Sequence, residues 1–368
     1  MWIVIPILLA VLLILLGVLL LLSPGKPAPF LDESGKALTG SISEKIHIDI
    51  NGAELGMFIK GKDKALPVLL YLHGGMPDYF LTQWHPTGLE DYFIIAWLEQ
   101  RGAGISYNPS TPRETMTVEQ LISDTLEVTN YLRRRFGQEK IYLMAHSGGT
   151  FIGIQAAARA PELYSAYIGM SQVVNQLESE RLAYEYMLKR FKENGNNSMV
   201  RKLEAAPVTL AGGTPRAYLA LRDPAMHPLG IGTTHAMKSH IRGVFLTSLA
   251  FREYTLAEKF NLWRAKSRAG VSIIWDKMLA MDLSQSVPML DIPVYFLHGI
   301  YDYTCSYPLA KSYFVKLKAP LKGFYTFEQS AHSPMFEEPE KMQKIMQTDV
   351  LGKKNSLADA VVESSSAL

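Results

Sequence analysis

Ser147 lies in the segment AHSGG at 145–149, between an apolar, strand-like run and a helix-like one. A serine at a sharp strand–helix turn, with small residues two positions before and after it, holds its hydroxyl in an exposed position. Such a serine can act as a nucleophile, whereas an ordinary turn serine would only cap the following helix. Ala145 and Gly149 are the small residues that the nucleophile interpretation requires.

A serine hydroxyl is a weak nucleophile unless a base removes its proton. Two later strand-like runs lead into suitable partners, VYFLHGIYD into Asp302 and FYTFEQSAH into His332. His332 would accept the serine proton and return it to the leaving group, while Asp302 would fix the imidazole tautomer. Asp291 is the alternative acid, but it precedes its strand and would lie at the opposite edge of the sheet. Taken singly, Asp302 could be a turn residue and His332 a loop residue. Together with Ser147, in this order, they predict a catalytic triad.

Acyl transfer from a serine also requires hydrogen-bond donors for the developing oxyanion. The backbone N–H of Gly148, directly after the nucleophile, is the first predicted donor. The second is expected in the segment LLYLHGGMP, with the N–H of Gly75 preferred over that of Met76. A plain glycine-rich turn is the alternative interpretation of this segment. The residues expected at the substrate pocket are His73, Gly74, Met76 and His146.

Short apolar runs alternate with helical patterns through most of the chain, and these runs would form the strands that carry the residues above. The clearest helix is TVEQLISDTLEVTNYLRRRFG, whose apolar residues recur at helical spacing and which Gly137 would end. Alternating strands and helices predict an α/β fold, with a mostly parallel sheet covered on both faces. Two alternating runs joined at Asn51-Gly52 predict a preceding β-hairpin.

Residues 172–290 interrupt this alternation, because they contain several helical patterns and almost no strand signal. A helical insertion between two strands of such a sheet predicts a cap over its carboxyl edge. Open α/β folds bind their ligands at that edge.

The N-terminal run WIVIPILLAVLLILLGVLLLL, residues 2–22, is apolar and uncharged. As a helix it would span about 30 Å, the hydrocarbon thickness of a bilayer. We expect an uncleaved single-pass anchor in the lipid bilayer. A cleaved signal peptide is the alternative, but the run is longer than a signal core, no basic residue precedes it and no clear cleavage site follows. Few charges flank the run, so the side of the membrane is undefined.

The sequence predicts six segments, of which the linker is rich in Pro, Gly and Ser and the tail in small polar residues. They are the transmembrane anchor at 1–25, the linker at 26–44, the first part of the core at 45–171, the helical cap at 172–290, the second part of the core at 291–350 and a flexible tail at 351–368.

Composition limits the classes of partner. A net charge of +2 over 368 residues gives no electrostatic basis for binding nucleic acid. Cys305 is the only cysteine, which excludes an internal disulfide framework and a multi-cysteine metal site. The cap histidines His227, His235 and His240 lack the i, i+4 spacing of helical metal ligands, so we expect no metal.

Several motifs together resemble the α/β-hydrolase superfamily, and most closely its proline iminopeptidase-like branch, peptidase family S33. They are His73-Gly74-Gly75, EQRGAGIS at 99–106, the turn at Ser147, and the later Asp302 and His332. The resemblance covers roughly residues 45–345. It implies an α/β-hydrolase fold with an eight-stranded sheet, a helical cap and serine hydrolase chemistry without metal or organic cofactor. Arg101, within EQRGAGIS, is expected to fix its loop rather than touch substrate.

Two departures from that branch bear on the substrate. HGGPG is replaced by HGGMP, and the GGSWG turn by AHSGG, so the pocket beside Ser147 should be more open. Iminopeptidases of the branch bind the free amino end of the substrate through cap carboxylates. The cap glutamates considered for that role, none of which can be matched to it, are Glu178, Glu180, Glu185, Glu253 and Glu258. The serine itself argues against epoxide hydrolases and haloalkane dehalogenases, which resemble this fold but use an aspartate there.

The sequence therefore predicts a membrane-anchored serine hydrolase that cleaves an ester or amide bond through an acyl-enzyme on Ser147. Its predicted partners are a small ester, amide or short peptide and the bilayer. A proline iminopeptidase-like aminopeptidase is the alternative within this class. A catalytically inert, membrane-tethered binding module is the alternative outside it, and acyl transfer to an acceptor other than water would use the same triad.

Overall fold

The apolar runs of the sequence form one eight-stranded sheet in the computed structural model, which describes residues 4–266 and 273–360. The strands are β1 Ile42–Ile50, β2 Ala53–Gly61, β3 Val68–Leu72, β4 Ile94–Glu99, β5 Ile141–His146, β6 Tyr164–Met170, β7 Val294–Gly299 and β8 Lys322–Phe327. Their order in the sheet is β1-β2-β4-β3-β5-β6-β7-β8. β2 pairs antiparallel with both neighbours, and the pairs from β4 to β8 are parallel. The predicted α/β-hydrolase sheet is confirmed.

Helices cover both faces of this sheet and fill the long connection between β6 and β7. The α-helices of the described residues are α1 Val4–Leu21, α2 Val118–Phe136, α3 Gly148–Arg159, α4 Gln176–Glu193, α5 Asn197–Glu204, α6 Arg216–Leu229, α7 Thr247–Ala250, α8 Leu256–Ala265, α9 Trp275–Ala280, α10 Leu283–Ser286, α11 Tyr307–Lys316, α12 Pro334–Glu337 and α13 Pro339–Ile345. A π-helical turn, Ile241–Leu246, leads directly into α7.

Local sequence signals explain several of these boundaries. Asn51 and Gly52 both adopt positive φ angles, which two-residue hairpin turns of the matching twist require, and they join β1 to β2 as predicted. The side chain of Thr117 caps α2 by accepting from the N–H of Gln120 at 3.1 Å. Gly137 ends that helix in the left-handed conformation.

The described residues of the connection between β6 and β7 contain helices α4 to α10 and the π-helical turn, joined by loops, and no strand of the sheet. Helices α4, α5 and α6 share an apolar cluster of their own, which includes Met187, Leu203 and Met226. Residues 267–272 of the predicted cap lie outside the described residues. That residues 172–290 form a separate cap domain stays a prediction.

The N-terminal helix α1 is long enough and apolar enough to cross a membrane, by length and composition alone. None of its residues is buried. Residues 1–3 of the predicted anchor lie outside the described residues. The predicted linker at 26–44 is wrong from Ile42, where β1 begins. Earlier in that segment the backbone of Ala28 also pairs with the body, accepting from Lys60 and donating to Glu253, both at 2.9 Å.

The expectation of a flexible tail from residue 351 is wrong for residues 351–360. The N–H of Asp359 donates to the carbonyl oxygen of Phe324 in β8 at 2.8 Å, and the N–H of Leu357 donates to the carboxylate of Asp349 at 2.8 Å. These bonds hold the segment against the edge of the sheet, where the unpaired backbone groups of β8 need partners. Residues 361–368 of the predicted tail lie outside the described residues.

The first turn of α3 approaches the end of β3 so closely that a side chain is excluded. A Cβ at Gly149 would collide with the backbone carbonyl oxygens of Leu72 and His73. Further along, a Cβ at Gly153 would lie 2.9 Å from the Cβ of Ala145 in β5. The small residues around Ser147 are therefore packing requirements of the strand–helix turn.

We expect Gly149→Ala to lower the free energy of unfolding by about 1–3 kcal/mol, because rigid backbone cannot move aside for the added methyl group. Thermal unfolding of the detergent-solubilised full chain, followed by circular dichroism, measures this. Gly212→Ala is the control, since its Cβ would meet only the hydroxyl of Thr209, which can rotate. Equal stability of the two variants would contradict the argument.

Candidate active site

Ser147 occupies a strained backbone conformation between β5 and α3, with φ 54° and ψ −129°. Its N–H donates to the carbonyl oxygen of Met170 at the end of β6, at 3.0 Å. Its side chain does not cap α3, so the alternative interpretation as a capping serine is not supported. Non-glycine residues rarely adopt positive φ unless the surrounding structure enforces it, and such strain concentrates at functional positions.

Asp302 and His332 meet beyond the ends of β7 and β8. The Nδ1–H of His332 donates to Oδ2 of Asp302 at 2.9 Å, and both residues are buried. This is the contact that a catalytic acid and base would make. The two loops come together because their strands are parallel neighbours, so that their carboxyl ends lie at the same edge of the sheet.

The carboxylate of Asp302 stays ionised although it is buried. Its Oδ1 accepts from the N–H groups of Thr304 and Cys305 at 2.8 and 3.0 Å. Its Oδ2 also lies 3.2 Å from Nε2 of His298, a residue of β7. Burial alone would raise the pKa of Asp302, but the facing His332 and the bonds from the two histidines hold it well below its usual range.

His332 has the electrostatic environment of a base. Burial lowers the pKa of His332 below its usual value of 6.5, against the opposing effect of Asp302. The ring is therefore neutral at pH 7. Because Nδ1 carries the proton that Asp302 accepts, Nε2 carries a free lone pair and can receive a proton.

Ser147 and His332 line the same cavity, but the described contacts include no hydrogen bond between the serine hydroxyl and the imidazole ring. The serine side chain instead lies close enough to the Cys305 thiol to influence the pKa of that thiol. Hydrogen bonds of catalytic groups are often unformed without substrate and tighten in the complex. A rotation of the hydroxyl about the Cα–Cβ bond would turn it away from the thiol.

The predicted oxyanion donors lie on both sides of Ser147. Gly148 is the first residue of α3, where the N–H has no acceptor within the helix and the helix dipole favours negative charge. Gly74 and Gly75 follow β3 and line the same cavity as Ser147. A Cβ at Gly74 would lie 2.6 Å from the Cβ of Ser147, so this glycine allows the loop to pass beside the nucleophile. Donation by Gly75 and Gly148 stays a prediction.

His73 is not at the substrate pocket, in contrast to the prediction. The ring is buried in the body of the protein, where its Nδ1–H donates to the carbonyl oxygen of Gly74 and its Nε2 accepts from the N–H of Gln100. Burial lowers the pKa of His73 to about 4, so the ring is neutral. Its role is to connect the loop after β3 to the loop after β4.

Gly74, Met76 and His146 do line the cavity. The ring nitrogens of His146 face Oδ2 of Asp78 at 3.0 Å and the carbonyl oxygen of His332 at 2.7 Å. His146 therefore links the loop after β3 to the loop that carries His332. Asp78, three residues after Gly75, was not found by the sequence reasoning.

Arg101 fixes its loop, as predicted. Its guanidinium donates to both carboxylate oxygens of Asp124 at 2.6 and 2.8 Å, and further to the carbonyl oxygens of Ile50 and Asn51. The ion pair is almost completely buried, so it holds the loop after β4 against α2 and the β1–β2 hairpin.

The cavity beside Ser147 has a volume of about 730 Å³ and lies between the carboxyl edge of the sheet and the cap helices. Most of its wall is apolar, with Phe80, Leu81, Val173, Leu219, Val244, Trp263, Trp275 and Met278. The charged side chains on the wall are Asp78, Arg222, Asp223 and Lys266. Sequence reasoning missed all four, since no motif indicates which polar residues of a helical insertion turn inward, and the glycine motif before Asp78 does not extend to it.

None of the five cap glutamates considered for amine recognition lines the described cavity. Glu180 is buried and paired with Arg222 at 2.8 Å, and Tyr218 donates to it. The other four are paired with Arg181, Lys60 or Lys45. Asp223 is the cap carboxylate on the wall, and its side chain is 45% exposed.

Among the described residues, no group of three or more His, Cys, Asp and Glu side chains is placed to hold a metal ion. His227 and His240 lie edge to face, and the ring of His235 stacks on Tyr301. The absence of a metal or cofactor stays a prediction.

Comparison with known proteins agrees with this architecture. Residues 67–339 match the family described as the alpha/beta hydrolase fold. The chain is 30% identical over 305 residues to the probable aminopeptidase YbaC of Bacillus subtilis (strain 168), covering 81% of this chain and 93% of that protein.

Two solved structures share the fold at low sequence identity. One is an alpha/beta fold family hydrolase from Bacillus anthracis str. Sterne, with 16% identity, a TM-score of 0.53 and coverage of 83% of this chain and 98% of that one. The other is the M145A mutant of an epoxide hydrolase from Bacillus megaterium, with 18% identity, a TM-score of 0.51 and coverage of 82% and 99%. With a family match over most of its length and a full-length curated relative, the chain belongs to the α/β-hydrolase fold family and is a hydrolase similar to the S33 branch.

Proposed function

We propose that the protein is a membrane-anchored serine hydrolase that cleaves an ester or amide bond through an acyl-enzyme on Ser147. The observation that carries this proposal is the buried Asp302–His332 pair in the wall of the cavity that also contains the strained Ser147 turn. A purely structural histidine–aspartate pair would not need a serine held at positive φ beside it.

In the proposed mechanism, Oγ of Ser147 attacks the substrate carbonyl carbon while Nε2 of His332 removes the hydroxyl proton. The carbonyl oxygen becomes an oxyanion that accepts from the N–H groups of Gly148 and Gly75. When the bond to the leaving group breaks, His332 returns the proton to it. Water then attacks the acyl-enzyme by the same route and releases the acid and the free serine.

Asp302 stabilises the imidazolium that forms on His332 during each proton transfer. Because its carboxylate is already ionised and fixed by two backbone N–H groups, it needs no reorganisation at that moment. The apolar wall of the cavity would accommodate an apolar acyl group or side chain.

An epoxide hydrolase function is less well supported, although the fold is shared with such enzymes. In the epoxide hydrolases that resemble this fold, an aspartate at the strand–helix turn would attack the epoxide carbon. Ser147 occupies that position here, and a serine hydroxyl with a neighbouring base suits attack on a carbonyl instead.

The membrane anchor is the second part of the proposal. None of the residues of α1 is buried, so the helix is not a core helix of the body. Its end is also bound to the body, since the buried Lys259 donates to the carbonyl oxygen of Leu22 at 2.7 Å and to the hydroxyl of Ser23 at 2.9 Å. A segment with such contacts in the folded protein supports retention rather than cleavage.

We expect Ser147→Ala to lower kcat/KM for a p-nitrophenyl acyl ester by at least about 10⁴-fold, because the hydroxyl is the attacking group. Ser123→Ala, at an exposed position on α2, is the matched control and should keep full activity. Circular dichroism would show that both variants fold.

A fluorophosphonate probe gives an independent readout, because it labels only an activated serine. Labelling of the wild-type chain but not of Ser147→Ala would support the proposal. If the wild-type protein neither turns over esters nor takes the label, the chain is an inert binding module.

The pH dependence of kcat/KM should follow the protonation of His332. Only the neutral ring can act as a base, so activity falls as the pH falls through its pKa and stays level above it. Because burial lowers that pKa, we expect the midpoint of the acid limb below pH 6.5.

Glu337→Gln is the control for this measurement, because Glu337 is a second group near His332 that titrates in this pH range. Burial raises the pKa of Glu337 to about 7, and its carboxylate accepts from the N–H of Ala331, next to His332. The midpoint should not move in this variant. A midpoint at pH 6.5 or above that persists in Glu337→Gln would contradict the assignment of His332 as the base.

An aminopeptidase is the second candidate function, favoured by the similarity to a probable aminopeptidase and by the position of Asp223 on the cavity wall. Neighbouring positive groups, chiefly Arg222, lower the pKa of Asp223 although burial opposes this, so the carboxylate is ionised and can pair with a substrate ammonium group.

If this candidate is correct, a free alanyl or prolyl arylamide should be cleaved at least about tenfold faster than its N-acetylated form, since only the former carries the charge. Asp223→Asn should raise KM for the free compound alone, with Asp276→Asn, at an exposed position on α9, as the control. Faster cleavage of the blocked compound, or of acyl esters, would exclude the aminopeptidase.

A further inference from the structure

Four large apolar side chains are exposed together on the cap, although the folded body buries most of its apolar residues. Ile241 is 65% exposed, Phe260 58%, Leu246 50% and Phe245 37%. Ile241, Phe245 and Leu246 belong to the π-helical turn and Phe260 to α8. Scattered exposed apolar residues are ordinary, but a contiguous set on neighbouring elements indicates a contact surface.

The two elements are in contact through Trp263 of α8, which lies one helical turn beyond Phe260, and we treat their four exposed side chains as one surface. The rings of Phe245 and Trp263 lie 5.0 Å apart edge to face, and the indole N–H of Trp263 donates to the hydroxyl of Ser248 at 2.9 Å. Val244 and Ser248 point inward and are buried, so the segment from 241 to 250 is amphipathic. We call the exposed side chains of Ile241, Phe245, Leu246 and Phe260 the cap surface.

The cap surface is continuous with the end of the N-terminal helix. The ammonium group of Lys259 donates to the carbonyl oxygen of Leu22, directly after α1, and to that of Leu249 in α7, both at 2.7 Å. The N–H of Gly25 donates to the carbonyl oxygen of Arg252 at 3.2 Å. The buried ammonium group of Lys259 therefore connects the C-terminal end of the proposed anchor to the segment that carries the cap surface.

The charges around the cap surface are complementary to an anionic bilayer. Residues 224–252 contain no aspartate or glutamate. The exposed cations of this segment are Lys238, Arg242 and Arg252, and Lys26 is exposed just beyond α1. Apolar side chains flanked by lysine and arginine are typical of segments that lie in the interface of a membrane.

The same two elements also form a wall of the cavity. Val244 and Trp263 line it, and His240 and Lys266 line it while remaining partly exposed, which places them at its rim. A bilayer in contact with the cap surface would therefore lie beside the opening of the cavity.

We propose that the cap surface docks on the bilayer next to the anchor, so that the cavity takes acyl substrates that are dissolved in the membrane. This rests on the anchor proposed above. The cap surface enters the headgroup region, the flanking cations contact anionic lipids, and a lipophilic ester reaches Ser147 without crossing bulk water.

Fluorescence quenching of the full-length chain in vesicles of phosphatidylcholine and phosphatidylglycerol tests the docking. An environment-sensitive probe is attached at Leu246→Cys in a Cys305→Ala background, and lipids spin-labelled near the headgroup act as quenchers. The control carries the probe at Val315→Cys, a position 42% exposed on α11 at the far edge of the sheet. We expect strong quenching at position 246 and weak quenching at 315.

Equal quenching at the two positions would overturn the proposal. It would also be overturned by a concentration-dependent blue shift of the 246 probe in detergent alone, because that would mean that a second copy of the chain covers the surface. If instead the protein leaves the vesicles on alkaline extraction, the anchor has failed, and the docking proposal falls with it.

Kinetics test the consequence for substrate. In vesicles, Ile241→Ser/Leu246→Ser should lower kcat/KM for a dodecanoyl p-nitrophenyl ester by at least about threefold, because the apolar contact with the bilayer is lost. Turnover of the water-soluble acetyl ester should not change. The control is Met289→Ser/Val315→Ser, which removes two exposed apolar side chains elsewhere.

Equal losses in the test and control variants, or an equal loss on both esters, would contradict entry from the membrane. Failure of the wild-type protein to hydrolyse either ester would instead contradict ester hydrolysis at Ser147, while the quenching measurement would still decide whether the surface docks.

Discussion

An ionised carboxylate, Asp302, lies where water cannot reach it, and the arrangement of the site follows from keeping it charged. Without partners, a buried charge would cost several kcal/mol. The turn after β7 supplies two backbone N–H groups, β7 itself supplies His298, and the loop after β8 supplies His332. Because these donors come from different segments, the charge is satisfied only when both loops adopt their observed positions. The orientation of the imidazole is thus a consequence of the solvation of Asp302.

A second constraint acts at Ser147, where two backbone segments, the end of β3 with its loop and the turn into α3, meet within van der Waals distance. Gly74 passes beside Ser147, and Gly149 lies against the end of β3. Hydrogen bonds then connect these segments to His332, since His146 contacts both Asp78 and the carbonyl oxygen of His332. The loop with the predicted oxyanion donor and the loop with the proposed base are therefore fixed relative to each other through one side chain. This connection gives the buried histidine directly before Ser147 a structural role.

The sequence was sufficient to predict features that depend on local pattern. Strand ends, the Asn51-Gly52 hairpin, the α2 boundaries and the Asp302–His332 contact all follow from periodicity, turn residues and the geometry of parallel strands. It was insufficient where the direction of a side chain is decided by distant packing. His73 has the residue type and position of a pocket residue, yet Gln100 from the next loop draws its ring into the body. In the cap, Glu180 and Asp223 are both helical acids that pair with Arg222, yet packing buries Glu180, which also accepts from Tyr218, and leaves Asp223 on the cavity wall. The packed segment 351–360 was missed for the same reason, because its partners lie in β8 and Asp349.

The contacts at the N-terminus bear on how a single-pass anchor can orient a catalytic body. A helix joined by a flexible linker would leave the cavity free to face any direction. Here the chain after α1 is bound to the body at three residues. Leu22 accepts from Lys259, and Gly25 donates to Arg252. Ala28 contacts both members of the ion pair of Lys60 with Glu253. These partners belong to the cap or to β2, so the proposed anchor is held mainly by the cap, which also forms part of the cavity wall. Burial disfavours the charged form of Lys259 and lowers its pKa to about 8. Three oxygen acceptors surround the ammonium group in place of water. With α1 in a bilayer, these contacts would set the height of the cavity above the membrane as well as its direction.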